Sequence, residues 1–499
     1  MKRNKLSNLI LWMTVILLAF TQCKKEAVVP DIVKPVIIPP ATELNNFIWS
    51  SMHDYYLWNT NIPALSNNYY LSSKDSLNLY LNKYTDPNKL FNDLLYQYNV
   101  VDKWSFIVSD YSIIDNWIAG ISKSMGYDFQ LYLLNTTSDA IFGVIRYVLP
   151  GSPASKAGLK RGDIFIKIDG TQLSTSNYQA LIAKESFALT LATLSNSNST
   201  LTPTVTTPVL TALEIQEDPV FLTKVLTVNG AKVGYLVYNG FTSDYDLELN
   251  TALQQFKTAG ISKIILDLRY NGGGSVQTAT YLASMIYSTD VSKVFSKSVY
   301  NTILQQYFTQ QYGADALLNK FTNNIAKTQT TAQTAINSLN LNDIFFIVSK
   351  ETASASELMI NGLKPYMNVT VVGANTYGKY VGSFTIKDYD TAGNLVTTHK
   401  YAMQPITVKI ANSAGVSDFV NGLAPDITAK EDVGNLQPLG DENEVLLKAC
   451  LDRIKGLKSS GMTNLSSLVN SKYIFGSKGQ NRFAYDMYID NRNFKLRTK

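Results

Sequence analysis

The stretch that most constrains this chain is Asp343 to Lys379. It opens on an unbroken apolar run, Ile344-Phe345-Phe346-Ile347-Val348. A short run rich in β-branched and aromatic residues predicts a buried strand. The small residues of Ser349 to Glu357 then predict a turn, and Leu358 to Leu363 carries a helical pattern. A second strand, Val369 to Val372, leads into Gly373-Ala374-Asn375-Thr376-Tyr377-Gly378-Lys379. A buried strand therefore feeds a helix whose start carries serines.

A serine at a helix start has two readings. As an N-cap, its hydroxyl accepts a backbone N–H. As a nucleophile, it sits beside free N–H groups and a positive dipole end, which suit a developing oxyanion. A nucleophilic serine needs a base. The chain holds two histidines, His53 and His399, and neither lies in a catalytic context. Lys379 follows a strand and a glycine turn, where burial would leave a neutral amine able to take the serine proton.

Thr352-Ala353-Ser354-Ala355-Ser356-Glu357 and the later Thr376-Tyr377-Gly378-Lys379 resemble the C-terminal processing (tail-specific) serine peptidases. The resemblance implies Ser354 as nucleophile, Lys379 as base and Ser356 as a structural serine. Asp267-Leu268-Arg269-Tyr270-Asn271-Gly272-Gly273-Gly274 resembles the family's Asp-Leu-Arg-Asn-Asn-Pro-Gly-Gly, with Gly272 in place of Pro. It implies an oxyanion hole from the N–H groups of Gly273 (or Gly274) and Ala355. Many relatives place Gln four residues after the lysine. Ser383 stands there, the candidate for orienting the amine.

A chain of 499 residues implies several domains. Lys2, Arg3 and Lys5 precede an apolar run from Leu9 to Phe20 that ends at Cys23. This predicts a signal peptide over 1–23. A lone Cys after the apolar core resembles a bacterial lipobox, which implies lipidation at Cys23, a membrane tether and a cell-envelope location. The prolines of 24–43 predict an extended linker. Residues 44–117 read as a helical domain, its aromatics as core. Residues 118–205 hold Ser152-Pro153-Ala154, Ala157-Gly158-Leu159 and Gly162-Asp163, which resemble a PDZ domain. Such a domain takes a peptide as an added strand, with a carboxylate nest expected near Ser124 to Tyr127. Ser195 to Pro208 reads as a loop.

Residues 206–458 are expected to form the peptidase domain, with a polar helical insertion at about 290–340 that reads as a cap over the site or, equally, as a solvated helical lid with no substrate role. The C-terminal extension 459–499 carries no usable motif. The expected architecture is multidomain α+β: a helical domain, a PDZ-like domain and an α/β (crotonase-like ββα) peptidase core with a helical cap.

The net charge of +5 is not clustered beyond the N-terminus, so nothing points to nucleic acid. Two cysteines exclude a disulfide framework, and no metal or organic cofactor is implied. The expected partners are protein substrates, held by their C-terminal tails. The expected activity is serine-type endopeptidase, with a catalytically impaired peptide-binding protein on the same fold as the alternative.

Overall fold

The computed structural model describes residues 38–490, apart from 67, 136, 196–199, 329–331, 458–467, 469–470 and 481–482. Cys23, the expected signal peptide and most of the expected linker lie outside the described residues.

The α/β core is built on a sheet ordered Val220–Val228, Ala231–Tyr238, Lys263–Asp267, Asp343–Val348, Asn368–Gly373, Ile427–Thr428. The first strand is antiparallel to the second, and every later pairing is parallel. Parallel strands need crossovers that cover both faces, so their residues are apolar without alternation. Ile344 to Val348 is buried throughout for this reason. On one face, helices Asp246–Ala259, Val276–Ile286 and Ala355–Leu363 share a core with Ile264, Leu266, Phe346 and Val348. On the other, Val445–Ile454 packs Leu447 and Cys450 against Tyr235, Ile265 and Ile347.

The polar stretch expected as a helical cap is different. Val294–Tyr300 is a strand paired with Ile406–Asn412 in a second six-stranded sheet, and only Thr302–Tyr312 is α-helical. The strand's partner lies about a hundred residues downstream, so local polarity misled the reading. Ser195 to Pro208 is likewise no simple loop: Leu189–Ser195 pairs antiparallel with Thr200–Thr206.

The N-terminal module consists of helices between Glu43 and Asp93. Thr42 caps the first by accepting from Asn45 N–H at 3.1 Å, and Phe47, Ile48 and Met52 face the core. Phe106–Val108, expected in this helical domain, instead pairs with Ala402–Gln404. The PDZ-like module carries an antiparallel sheet whose strands include Tyr127–Leu133, Ile141–Val148 and Ile164–Ile168. Its outer strand, beside Tyr127–Leu133, comes from the C-terminal extension: Tyr473–Gly476.

Candidate active site

Strands Lys263–Asp267 and Asp343–Val348 run parallel and end together. The loops that leave such an edge converge on one crevice. Here they are stitched side by side. Thr352 Oγ1 donates to Leu268 O at 2.8 Å, Ala353 N–H to Asn271 O at 3.3 Å and Ser356 Oγ to Asn271 O at 3.1 Å. Asn271 Nδ2 in turn donates to Tyr238 O at 2.8 Å. Ser356 is thus a structural tie. Gly273 lies against the serine: with φ +116°, a methyl on it would stand 2.6 Å from Ser354 Cβ and 3.0 Å from Ala355 N. Only glycine permits that approach.

Ser354 ends its loop at φ 65°, ψ −118°, just ahead of helix Ala355–Leu363. A non-glycine residue held at positive φ costs on the order of 1–3 kcal/mol and survives only where its surroundings impose it. The hydroxyl is buried, yet Oγ has no hydrogen-bond partner. Ser354 and Glu357 stand in the capping-box arrangement, but no hydrogen bond of full geometry engages Oγ itself. What is used is the reverse bond, from Ser354 N–H to Glu357 Oε2 at 2.8 Å.

Glu357 is the hub. The same Oε2 accepts from Lys379 N–H at 2.8 Å, while Oε1 accepts from Gly378 N–H at 2.7 Å and Thr376 Oγ1 at 2.5 Å. One carboxyl therefore fixes the backbone of the serine and of the lysine together. Burial pushes it up to about 7, against the pull of its four donors. Sequence reasoning assigned Glu357 no role. The signal was the Ser-x-x-Glu capping-box spacing from Ser354.

Lys379 is buried, with Nζ 5.6 Å from the Trp104 ring centroid. Its amine donates to Asp486 Oδ1. The expected contact with Ser354 is not made in this state, because a carboxylate from the C-terminal extension takes the amine. Ser383 Oγ is buried without a hydrogen-bond partner, so it does not orient that amine either. The Gly273 N–H donates to Asn271 Oδ1 at 2.9 Å, so of the two expected oxyanion donors it is already engaged. Ala355 N opens the helix, where N–H groups lack intrahelical acceptors. His53 pairs with Asp54 at 2.7 Å and His399 with Asp388 at 3.3 Å, and neither bonds Ser354.

A cleft of about 840 Å³ adjoins these groups. It is lined by Ser124, Gly126 and Tyr127 of the expected carboxylate nest at one side and by Gly272 to Gly274 at the other. Ion pairs lock the PDZ-like module beside it. Arg146 pairs with Asp128 and with Glu351 at 2.6 Å, and its guanidinium lies 4.5 Å from the Tyr270 ring centroid. Arg161 pairs with Glu431 at 2.5 Å and donates to Tyr270 Oη at 2.6 Å.

Three family models match in chain order: the peptidase S41 N-terminal domain over residues 43–106, a PDZ domain over 144–193 and peptidase family S41 over 232–429. The chain belongs to peptidase family S41. The S41 core match contains both Ser354 and Lys379. A carboxyl-terminal-processing protease of Picosynechococcus sp. is 27% identical over 304 residues, which are 61% of this chain and 64% of that protein. The chloroplastic C-terminal processing peptidase of Tetradesmus obliquus is 26% identical over 307 residues, 59% of each. The matched segment thus spans under two thirds of either relative. The crystal structure of a candidate S41 protease from Bacteroides fragilis superposes with a TM-score of 0.64 at 26% identity, covering 82% of this chain and 97% of that one. The S41 fold, with N-terminal, PDZ and catalytic modules, is therefore shared across most of the described residues.

Proposed function

We propose that this S41 protein is a serine endopeptidase that cleaves proteins near unstructured C-terminal tails, with Ser354 as nucleophile and Lys379 as base. The observation that carries the reading is Ser354 itself. It is strained at φ 65°, placed at a helix N-terminus, buried, and its hydroxyl is not used by the fold. Strain of this kind is maintained where function needs it. Glu357 ties that serine to the backbone of a buried lysine, which supports the pairing.

In the working cycle Lys379 is neutral and its amine faces Ser354. Oγ attacks the substrate carbonyl carbon as its proton passes to Nζ. The oxyanion is held by the Ala355 N–H and a glycine N–H of the Gly273-Gly274 turn, each donor lowering the barrier by about 3 kcal/mol. Collapse expels the new amine, which takes the proton from Nζ. Water then attacks the acyl carbon as Nζ takes its proton, and breakage of the bond to Oγ returns that proton from Nζ to Ser354. The cleft between Ser124–Tyr127 and Gly272–Gly274 supports presentation of a substrate tail by the PDZ-like module.

The test is a fluorophosphonate probe together with cleavage of an unstructured protein. Labelling and cleavage that vanish in Ser354→Ala, with the fold retained, are expected. Peptide binding with no labelling of Ser354 would instead establish a binding shell without turnover. Lipid attachment at Cys23, and with it a cell-envelope location, belongs to the same proposal and is supported by the basic, then apolar, residues before that cysteine. Fatty-acid incorporation that persists in Cys23→Ser would overturn it.

A further inference from the structure

The C-terminal extension behaves as a peptide bound to its own enzyme. It enters along the PDZ-like module. Tyr473–Gly476 adds an antiparallel strand to Tyr127–Leu133, the strand that follows the expected nest, with Gly476 opposite Gln130. Strand addition at an exposed sheet edge is how PDZ domains take peptides. Ile474 and Phe475 pack on the module's core, and Ser477 Oγ donates to Asp128 Oδ2 at 2.7 Å.

Further on, residues 483–490 cross the catalytic centre. Met487–Tyr488 lies between Gly274–Ser275 and Val381–Ser383, parallel to both. Ile489 N–H donates to Ser383 O at 3.0 Å, and Tyr485 stacks on Tyr377 at 4.6 Å between centroids. These flanking strands are the segments that carry the glycine turn and follow the lysine. The Asp486 backbone passes the nucleophile directly: a methyl on Gly273 would stand 2.9 Å from Asp486 O and 2.6 Å from Ser354 Cβ. Its side chain caps the Lys379 amine, with 1% and 3% of the two side chains exposed.

Gly272 fits the same picture. A methyl there would meet the Ala484 carbonyl oxygen at 1.6 Å, and the nearest other atoms are Ala484 C and Tyr485 Cδ1. The absence of a side chain at 272 thus makes room for the Ala484 carbonyl of the tail. The position where the related motif carries Pro is the one the tail crosses.

We infer that residues 473–480 and 483–490 are an intramolecular ligand of the peptide channel, and that Asp486 keeps the enzyme latent by engaging Lys379. While the carboxylate holds it, the amine is an ion-pair partner and not a base, and the path to Ser354 is filled. Substrate must displace the strand before Ser354 can attack. This rests on the peptidase reading above, with Ser354 and Lys379 as the reacting pair.

The experiment compares full-length wild type with Asp486→Asn and Gly272→Ala. It measures the initial cleavage rate of an unstructured protein and the fluorophosphonate labelling rate of Ser354. Asp486→Asn keeps the side-chain shape and removes the charge. Gly272→Ala expels the strand without touching Ser354 or Lys379. Both variants are expected to cleave and label at least tenfold faster than wild type, and adding Ser354→Ala is expected to abolish both signals. Wild type that is already active, with rates unchanged or lower in folded variants, would overturn the latency and leave the peptidase reading standing. No labelling of Ser354 in any variant would overturn the peptidase reading, and the latency with it. Should Gly272→Ala fail to fold, the isosteric Asp486→Asn decides.

Discussion

Gly273→Ala tests the geometry of the site most directly. The added methyl would lie 2.6 Å from Ser354 Cβ, where ordinary contact begins at 3.4 Å, so something must move by about 0.8 Å. The alanine must also hold φ +116°, a region that L residues avoid, at a cost on the order of 1–3 kcal/mol. Overpacking adds about 1–3 kcal/mol more. Neighbouring groups cannot yield freely, because the loop bearing Ser354 is tied to the glycine loop by Thr352, Ala353 and Ser356. The displacement therefore falls on the nucleophile and on the Ala355 N–H, 3.0 Å from the new methyl. A misplacement of about 1 Å can cost roughly a hundredfold in rate. The assay is kcat/KM on an unstructured protein, made in the Asp486→Asn background so that the ion pair on Lys379 does not mask the change. A fall of about a hundredfold, chiefly in kcat, is expected with secondary structure retained. A value within threefold of the parent would refute the placement of Gly273 against the nucleophile.

Glu357 titrates near 7 in the fold against about 4.5 unfolded, so the folded state binds its proton more tightly. Its effect is full stability below about pH 4.5 and loss as pH rises to about 7, amounting to roughly 3 kcal/mol. Urea unfolding of wild type against Glu357→Gln should show that slope flattened in the variant, and parallel curves would refute the assignment. Arg146→Met leaves Asp128 and Glu351 buried without their partner. A loss of about 3–5 kcal/mol is expected, with faster proteolysis of the PDZ-like module. Burial raises the Cys450 thiol, so a thiol reagent should label it only after unfolding.

The strand–turn–helix around Ser354 was legible because its cause is local. A five-residue apolar run, small residues and a helical repeat lie within about twenty positions. Ser354 and Lys379 could be put forward from the sequence for the same reason. Val294–Tyr300 was not, because it is a strand only by virtue of Ile406–Asn412. The extension was least legible of all. Asp486 meets Lys379 across 107 positions, and Tyr473–Gly476 is a strand only beside Tyr127–Leu133. No periodicity within either segment encodes such a partner. Gly272 read only as a departure within the glycine turn, and its contact with Ala484 was not legible there.

Tyr270 sits between two arginines of another module and belongs to the loop that leads to Gly273. Glu351, held by Arg146, belongs to the loop that ends at Ser354. The PDZ-like module is thus fastened to both loops that flank Ser354. The two loops and that module are one mechanical unit, so a change at Arg146 or Arg161 is felt at Gly273 and Ser354 alike.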